Sequence, residues 1–360
     1  MNTLIPLEYY SLVYFNVLFL VVILLFLKSL KSDFSTKPTF GFIIFLFVLL
    51  YIGLRPISFV FSDMGVYNLT FEKYQQGEPI FSEKDIFFEY FIFYSSKIMS
   101  AQMFFFVCAC LYVIPVYLAS KKIFKEYWEY CFLMLVISLS FWAYGVNGIR
   151  NGIATSFFLY GISNEKKAVS ILFVVLSFFI HKSLVLPCFA FFAVTFYNKP
   201  ETYLKFWILS IPASVFLGDF FTNFFLGLGL VENERISGYL GELSDDLNAS
   251  DLKIGFRWDF LLYSATGVFA GWYFIVKKKF EDEFYIKIFN VYLFSNAIWI
   301  LVIKANFSNR FAYLSWFMLG LLIIYPFLKM KFFINQHQIM VRIIFIYFMF
   351  TYLLNVILSK

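Results

Sequence analysis

Four arginines of this sequence lie in or beside long apolar runs, where a charged side chain is costly unless it binds something. Arg55 lies inside one run and is followed by Pro56, which would interrupt a helix there. Arg150 follows a glycine-rich stretch, and Arg257 and Arg310 each open an apolar run. A guanidinium presents a planar fork of donors that suits phosphate and carboxylate groups. These residues therefore predict a site for an anion.

A histidine and two carboxylates could supply proton transfer beside these cations. His181 ends a further apolar run and could bond a sugar hydroxyl or a phosphate, or relay a proton. Asp63 and Tyr67 are one turn apart if their segment is helical, so both could face the site. Asp63 and Glu89 are the carboxylates best placed to act as a general base.

Each of these residues also has a simpler interpretation. Arg55 could extend to the outer interface instead of facing a cavity, and Arg150 could belong to an ordinary helical hairpin. Arg257 could pair with Asp259, and His181 could be a hydrogen-bonded core residue. The carboxylates could be solvated loop acids. The second histidine, His337, falls in a predicted cytoplasmic loop and is expected to be inert.

The elements that position these residues are membrane-spanning helices. Of the 360 residues, 61% are apolar and only 14% are charged, which is far from the composition of a soluble protein. Apolar runs of about 17 to 22 residues recur along the chain, and a hydrocarbon core is about 30 Å thick. We predict an all-α fold forming one integral membrane domain, residues 1–360. The predicted spans are 10–28, 40–60, 101–119, 131–147, 149–163, 168–181, 183–197, 206–228, 258–276, 286–303, 311–328 and 342–358.

The distribution of charged residues predicts how these spans are oriented across the membrane. One alternating set of connections carries 16 lysines and one arginine against eight acidic residues, a net charge of +9. The rest of the chain carries seven lysines and five arginines against 15 acidic residues, a net charge of −3. The positive-inside rule puts the first set in the cytoplasm, and both termini outside. Residues 61–100, with an interfacial helix candidate, and 229–257, with an acidic stretch, are then outer loops. Five of the six arginines fall on the outer side, and Arg55, Arg150, Arg257, Arg310 and His181 would form a cationic ring there.

No metal or other cofactor is expected. The four cysteines lie in apolar runs without metal-finger spacing, and no carboxylate cluster has the ligand pattern of a divalent cation. The glycines around Arg150 are not a nucleotide fingerprint, because no βαβ unit surrounds them.

The candidate site residues, in their order along the chain, make this sequence resemble the EpsG-like branch of the Wzy-type O-antigen and exopolysaccharide repeat-unit polymerases. The resemblance covers most of the chain, although the family's arginine-then-glutamine pair reads Arg150–Asn151 here. The segments that carry it are Asp63…Tyr67, Ile149–Arg150–Asn151–Gly152–Ile153–Ala154, Phe179–Ile180–His181–Lys182–Ser183, Arg257–Trp258–Asp259 and Asn309–Arg310–Phe311–Ala312–Tyr313.

The resemblance implies a fold like the class C polyprenyl-phosphate glycosyltransferases. It also implies block transfer of a polysaccharide from undecaprenyl pyrophosphate on the outer leaflet of the bacterial plasma membrane. The implied partners are lipid-linked oligosaccharide donor and acceptor, membrane lipid and a chain-length regulator, but no nucleic acid. The pyrophosphate would bind Arg55, Tyr67, Arg150, Arg257 and Arg310, while Asp63, Glu89 and His181 would act in catalysis.

The main alternative is a flippase or other transporter of lipid-linked oligosaccharides. A transporter predicts polar residues near the midplane and often paired repeats, whereas the distinctive charges here lie near one face and no repeat is visible. Within enzymes, the alternatives are an O-antigen ligase and a membrane acyltransferase. An acyltransferase would be expected to have histidines toward its acyl donor, and His181 is the available one.

Overall fold

Helices account for all of the regular structure that the computed structural model describes, which covers residues 5–31, 38–80, 85–227, 255–305 and 308–358. The predicted all-α polytopic membrane class is thereby confirmed. In chain order the helices are α1 (Tyr10–Ser29), α2 (Pro38–Gly53), α3 (Asp63–Gln75), α4 (Ile86–Ile98), α5 (Ala101–Ile123), α6 (Trp128–Val136), α7 (Leu139–Val146), α8 (Ile149–Ile162), α9 (Lys167–Ile180), α10 (Val185–Phe196), α11 (Pro200–Gly227), α12 (Trp258–Trp272), α13 (Glu283–Leu301), α14 (Ser308–Trp316), α15 (Leu319–Lys329) and α16 (Gln336–Tyr352).

Seven stretches of helix among the described residues are long and apolar enough to cross a membrane, or eight if the bent pair α6 and α7 forms one span. The seven are Leu7–Ser29, Ala101–Ile123, Pro200–Phe225, Trp258–Lys277, Glu283–Leu301, Arg310–Lys329 and Gln336–Ile357. The other predicted spans fall on the shorter helices α2, α8, α9 and α10. Each predicted span therefore contains helical residues, while the total of twelve membrane-spanning helices stays a prediction.

The structure corrects two predicted spans. The second ends at Gly53 instead of residue 60, because Pro56 has no N–H to continue the helix. The fourth is not a single rod: α6 and α7 meet at an angle of 68° after Val136. Ser138 precedes α7 with an extended backbone, so the helical hydrogen-bond ladder is interrupted there.

Helix α1 shows why these elements suit a membrane. Its protein-facing side chains recur every three or four residues, at Tyr14, Leu18, Val22 and Leu25. The opposite face is also apolar, with exposed leucines at positions 20, 24 and 27. A helix that is apolar all round fits a lipid environment, whereas a soluble surface helix would carry a polar face.

The chain divides into two compact units, Met1–Leu184 with Ile323–Lys360, and Val185–Leu322. The prediction of one membrane domain stays a prediction. In the first unit α5 packs against α2 and α8, α8 packs against α9, and α3 and α4 pack together as a hairpin. This hairpin lies in the predicted outer loop 61–100. The other predicted loop, 229–257, lies outside the described residues except for residues 255–257.

A buried polar network ties the helices of the second unit together. Asn296 of α13 accepts a hydrogen bond from the Trp207 indole at 2.7 Å and donates to Ser264 and Ser315 at 3.1 and 2.9 Å. The Trp316 indole donates to the Ser264 hydroxyl at 2.6 Å. Within a membrane the hydrophobic effect does not drive helices together, because lipid tails are as apolar as the side chains. Hydrogen bonds between buried side chains therefore help to determine which helix faces meet.

His337 is not in a loop, and that prediction is wrong. Helix α16 begins at Gln336, six residues before the predicted span, so His337 lies in its first turn. The ring is 4% exposed, and its Nε2 lies 2.9 Å from the hydroxyl of the buried Tyr130. Two polar residues at the start of a helix thus stand inside the protein, where the sequence suggested a solvated connection.

Candidate functional site

Arg150 is held by two partners from outside its own helix. It is the second residue of α8, and its side chain is 12% exposed. Its Nε donates to the Tyr67 hydroxyl at 2.8 Å, and its Nη1 donates to Asp85 Oδ2 at 2.8 Å. The guanidinium also lies 5.5 Å from the centre of the Tyr67 ring. A planar fork that bonds along two directions is fixed in orientation as well as in position.

Asp85, which the sequence analysis missed, is the carboxylate of this site. Its side chain is only 5% exposed. Besides the Arg150 bond, its Oδ1 accepts from the backbone N–H of Lys182 at 3.1 Å, and Oδ2 lies 3.9 Å from His181 Nε2. The donors come from parts of the chain 65 to 97 residues away. A buried carboxylate needs such partners, since an isolated buried charge would be costly.

The backbone of Asp85 is left-handed, with φ 47° and ψ 48°. It occupies the N-cap position of α4 but its side chain caps no backbone N–H of that helix. An aspartate directly before an apolar run is a helix-start signal, and this signal could have drawn attention to Asp85. The carboxylate instead faces Arg150 and Lys182, which sequence proximity does not reveal.

His181 connects this carboxylate to a polar turn. The Ser183 backbone N–H donates to His181 Nδ1 at 3.1 Å, so Nδ1 acts as an acceptor and the neutral ring carries its hydrogen on Nε2, the atom toward Asp85. The Ser183 hydroxyl lies 2.9 Å from Nδ1 and donates to the Asn151 side chain at 2.8 Å. Asn151, where the family pattern has glutamine, thus joins α8 to the turn before α10.

Asp63 and Tyr67 are indeed one helical turn apart, because α3 begins at Asp63. Tyr67 is 7% exposed, and its hydroxyl accepts a hydrogen bond from Arg150 Nε. The backbone N–H of Asp63 donates to the Asn147 side chain at 3.1 Å, so the start of α3 contacts the connection that precedes Arg150. Tyr67 thus contacts Arg150, while the role of Asp63 as a base stays a prediction.

Glu89 lies one turn along α4 from Asp85. Its Oε2 accepts a hydrogen bond from the Tyr74 hydroxyl at 2.9 Å, and Lys97 donates to the Tyr74 carbonyl. These contacts join α3 to α4 and so support the hairpin that carries Tyr67 and Asp85. The proposed catalytic role of Glu89 stays a prediction.

Arg55 is turned onto backbone carbonyls and is 1% exposed, so it does not extend to solvent. Its Nη1 donates to the Ile52 carbonyl at 2.5 Å, which is the carbonyl that an N–H at position 56 would bond in a continuing helix. Pro56 has no N–H, and the Arg55 guanidinium supplies the missing donor to the Ile52 carbonyl. Its Nη2 donates to Val146 at the end of α7, at 3.3 Å. Binding of pyrophosphate by Arg55 stays a prediction.

Arg257 and Arg310 belong to the second unit. Arg257 forms a two-pronged ion pair with Asp259, at 2.9 and 2.6 Å, and lies 3.5 Å from the centre of the Phe260 ring. The simpler interpretation of Arg257 therefore describes its observed contacts. Arg310 is exposed in α14. A contribution of either residue to the same site as Arg150 stays a prediction.

Within the described ranges, no group of three or more His, Cys, Asp or Glu side chains is arranged to hold a metal ion. The cation that contacts both Asp85 and Tyr67 is the Arg150 guanidinium. The arrangement offers a fixed guanidinium, a carboxylate and an imidazole N–H within one small volume, a set able to bind phosphate oxygens and sugar hydroxyls.

The helices and this site define a multi-pass membrane protein with a polar cluster built on α3, α4, α8 and the turn after α9. The profile of the EpsG family matches residues 38–360, and the chain belongs to that family. Membership supports a polymerase-type function in exopolysaccharide or O-antigen synthesis. No curated protein and no solved structure matches the chain, so likeness to the class C glycosyltransferase fold stays a prediction.

Proposed function

We propose that this protein is a glycosyltransferase that joins undecaprenyl-pyrophosphate-linked oligosaccharide repeat units at the outer face of the bacterial plasma membrane. The observation that carries the proposal is the Arg150 cluster, which consists of Tyr67, Asp85, Arg150, His181 and Ser183. It provides a fixed guanidinium beside a carboxylate and an imidazole, in a chain that belongs to the EpsG family.

The reaction would be a transfer at the anomeric carbon of the donor sugar. A hydroxyl oxygen of the acceptor repeat unit bonds that carbon, and the hydroxyl proton passes to a base. The bond from carbon to the pyrophosphate oxygen breaks, and undecaprenyl pyrophosphate leaves with the electron pair. Its developing negative charge needs fixed donors, which arginines supply without a metal. The lipid-linked donor and acceptor, the surrounding lipid and a chain-length regulator are the proposed partners.

We propose three roles for the candidate residues: binding the pyrophosphate, supporting the site, and transferring the acceptor proton. Arg150, positioned by Tyr67, binds the pyrophosphate, and a pyrophosphate-binding role for Arg257 and Arg310 is proposed from the sequence alone. Arg55 is 1% exposed and bonds two backbone carbonyls, so we assign it to supporting the connection between α7 and α8. The remaining candidates, Asp63, Glu89 and His181, are those that would receive or relay the acceptor proton.

Replacing Arg150 in cells tests the function against the flippase alternative. Arg150→Ala should reduce the polysaccharide to single repeat units that remain on undecaprenyl pyrophosphate in the outer leaflet. Arg342→Ala is the matched control, since Arg342 is exposed on α16 and lies outside the cluster. An unchanged chain-length profile in Arg150→Ala, at equal protein level, would overturn the proposal. Single units held on the inner leaflet would indicate transport instead.

A further inference from the structure

Three donors converge on the carboxylate of Asp85. Arg150 Nη1 and the Lys182 backbone N–H bond it at 2.8 and 3.1 Å, and His181 Nε2 lies 3.9 Å from Oδ2. A guanidinium, a backbone N–H and an imidazole N–H are also the donors with which proteins bind phosphate oxygens. The places that phosphate oxygens would take are thus filled by the two carboxylate oxygens of Asp85.

We propose that Arg150, the Lys182 N–H and His181 form a pyrophosphate-oxygen site, and that Asp85 is its internal ligand, which the substrate displaces. This inference rests on the proposed function and adds a step to it. The Lys182 backbone N–H has a single hydrogen, which cannot bond the Asp85 carboxylate and a phosphate oxygen at once, and the two anions would repel each other beside Arg150. Binding therefore requires the carboxylate to leave.

The surroundings of Asp85 allow it to leave while Arg150 stays. Asp85 has a left-handed backbone, which for an L-residue is higher in energy than the ordinary helical region. Rotation at this residue would relieve that conformation and swing the side chain away. Arg150, by contrast, keeps its Nε bond to Tyr67, which lies on a different helix. Tyr67 is therefore the positioning residue that keeps the Arg150 guanidinium in place both before and after Asp85 is displaced.

The expected effect has a definite sign. Displacing a buried carboxylate from its donors lowers the apparent affinity of every ligand that uses those donors. Asp85→Asn removes the charge and most of that competition, so this variant should bind pyrophosphate about tenfold more tightly, or better. Glu72→Gln removes one carboxylate from the exposed side of α3, which carries Tyr67. It should bind as the wild type does.

The test is titration calorimetry of the purified full-length protein with inorganic pyrophosphate, in nanodiscs of phosphatidylcholine. The wild type, Asp85→Asn, Glu72→Gln and Arg150→Ala are compared. Equal or weaker binding by Asp85→Asn, with binding lost in Arg150→Ala, would refute the internal ligand and leave the proposed function standing. No pyrophosphate binding by the wild type or Asp85→Asn would remove the proposed function as well.

Hydrogen exchange provides a test that needs no variant. In the wild type, saturating pyrophosphate should speed amide exchange at the start of α4, where Phe88 and Glu89 donate to the Asp85 carbonyl. Exchange there that stays the same or slows on binding would show that Asp85 remains in place. That outcome would overturn the displacement even if Asp85→Asn failed to fold.

Discussion

The side chain of Arg150 acts as a fork in this structure, with Nε bonded to Tyr67 of α3 and Nη1 bonded to Asp85, the residue before α4. A lysine ammonium is a single point and cannot reproduce both bonds. Arg150→Lys should therefore reduce polymerisation at least about tenfold even though the charge is kept. Arg342→Lys, the same change on an exposed face, is the control. A normal chain-length profile in Arg150→Lys would mean that charge alone is sufficient.

His181 makes two separable contributions at the residue scale. Its Nδ1 accepts from the Ser183 N–H, and its Nε2 faces Asp85. An asparagine oxygen can replace the first contact, since asparagine commonly bonds the N–H two residues on, but it lacks the second. We expect His181→Ala and His181→Asn both to weaken polymerisation, with the melting temperature preserved in His181→Asn. Full activity in His181→Asn would make the ring a structural part of the turn.

At the scale of elements, the position of Arg150 depends on close packing of α7 against α8. A Cβ at Gly152 would lie 2.8 Å from the backbone carbonyl oxygen of Tyr144, which cannot move aside as a side chain can. Gly152→Ala should therefore destabilise the protein by about 1–3 kcal/mol and shift Arg150, lowering activity. At Gly218 a Cβ would meet only the flexible Lys304 side chain, at 3.3 Å, so Gly218→Ala is the matched control.

Melting temperature and polymerisation, measured together on both glycine variants, check this expectation. Gly152→Ala should lower both the melting temperature and polymerisation, and Gly218→Ala should change neither appreciably. A Gly152→Ala protein with wild-type stability and activity would contradict the close contact between the two helices.

Most elements could be predicted from the sequence because their causes are local. Apolar runs and charged connections predicted where the helices lie, and the spacing of Asp63 and Tyr67 predicted their shared face. The end of α2 was predicted too late, at residue 60, although Pro56 already marked an interruption of the helix. The break between α6 and α7 was missed, since both halves are apolar and nothing in the run interrupts it. Asp85 was missed because its partners are 65 to 97 residues away, and only tertiary packing brings them together.

At the scale of the whole molecule, the charge asymmetry predicts topology. Lys278 lies in a lysine-rich connection and Ser244 in an acidic one, the latter outside the described residues. A cysteine at Lys278→Cys should resist a membrane-impermeant thiol reagent applied to intact cells, or to spheroplasts if an outer membrane is present. Ser244→Cys should be labelled. Labelling of the residue-278 cysteine from outside would reverse the orientation and remove Arg150 from the outer face.

The decisive measurement is polymerisation by the purified protein, reconstituted with one synthetic undecaprenyl-pyrophosphate-linked repeat unit and a strong chelator of divalent metals. We expect a ladder of chains, with one undecaprenyl pyrophosphate released for each new linkage, and no ladder with Arg150→Ala. A repeat unit that stays unjoined, or joining that requires added Mg²⁺, would contradict a transfer that uses cations of the protein alone.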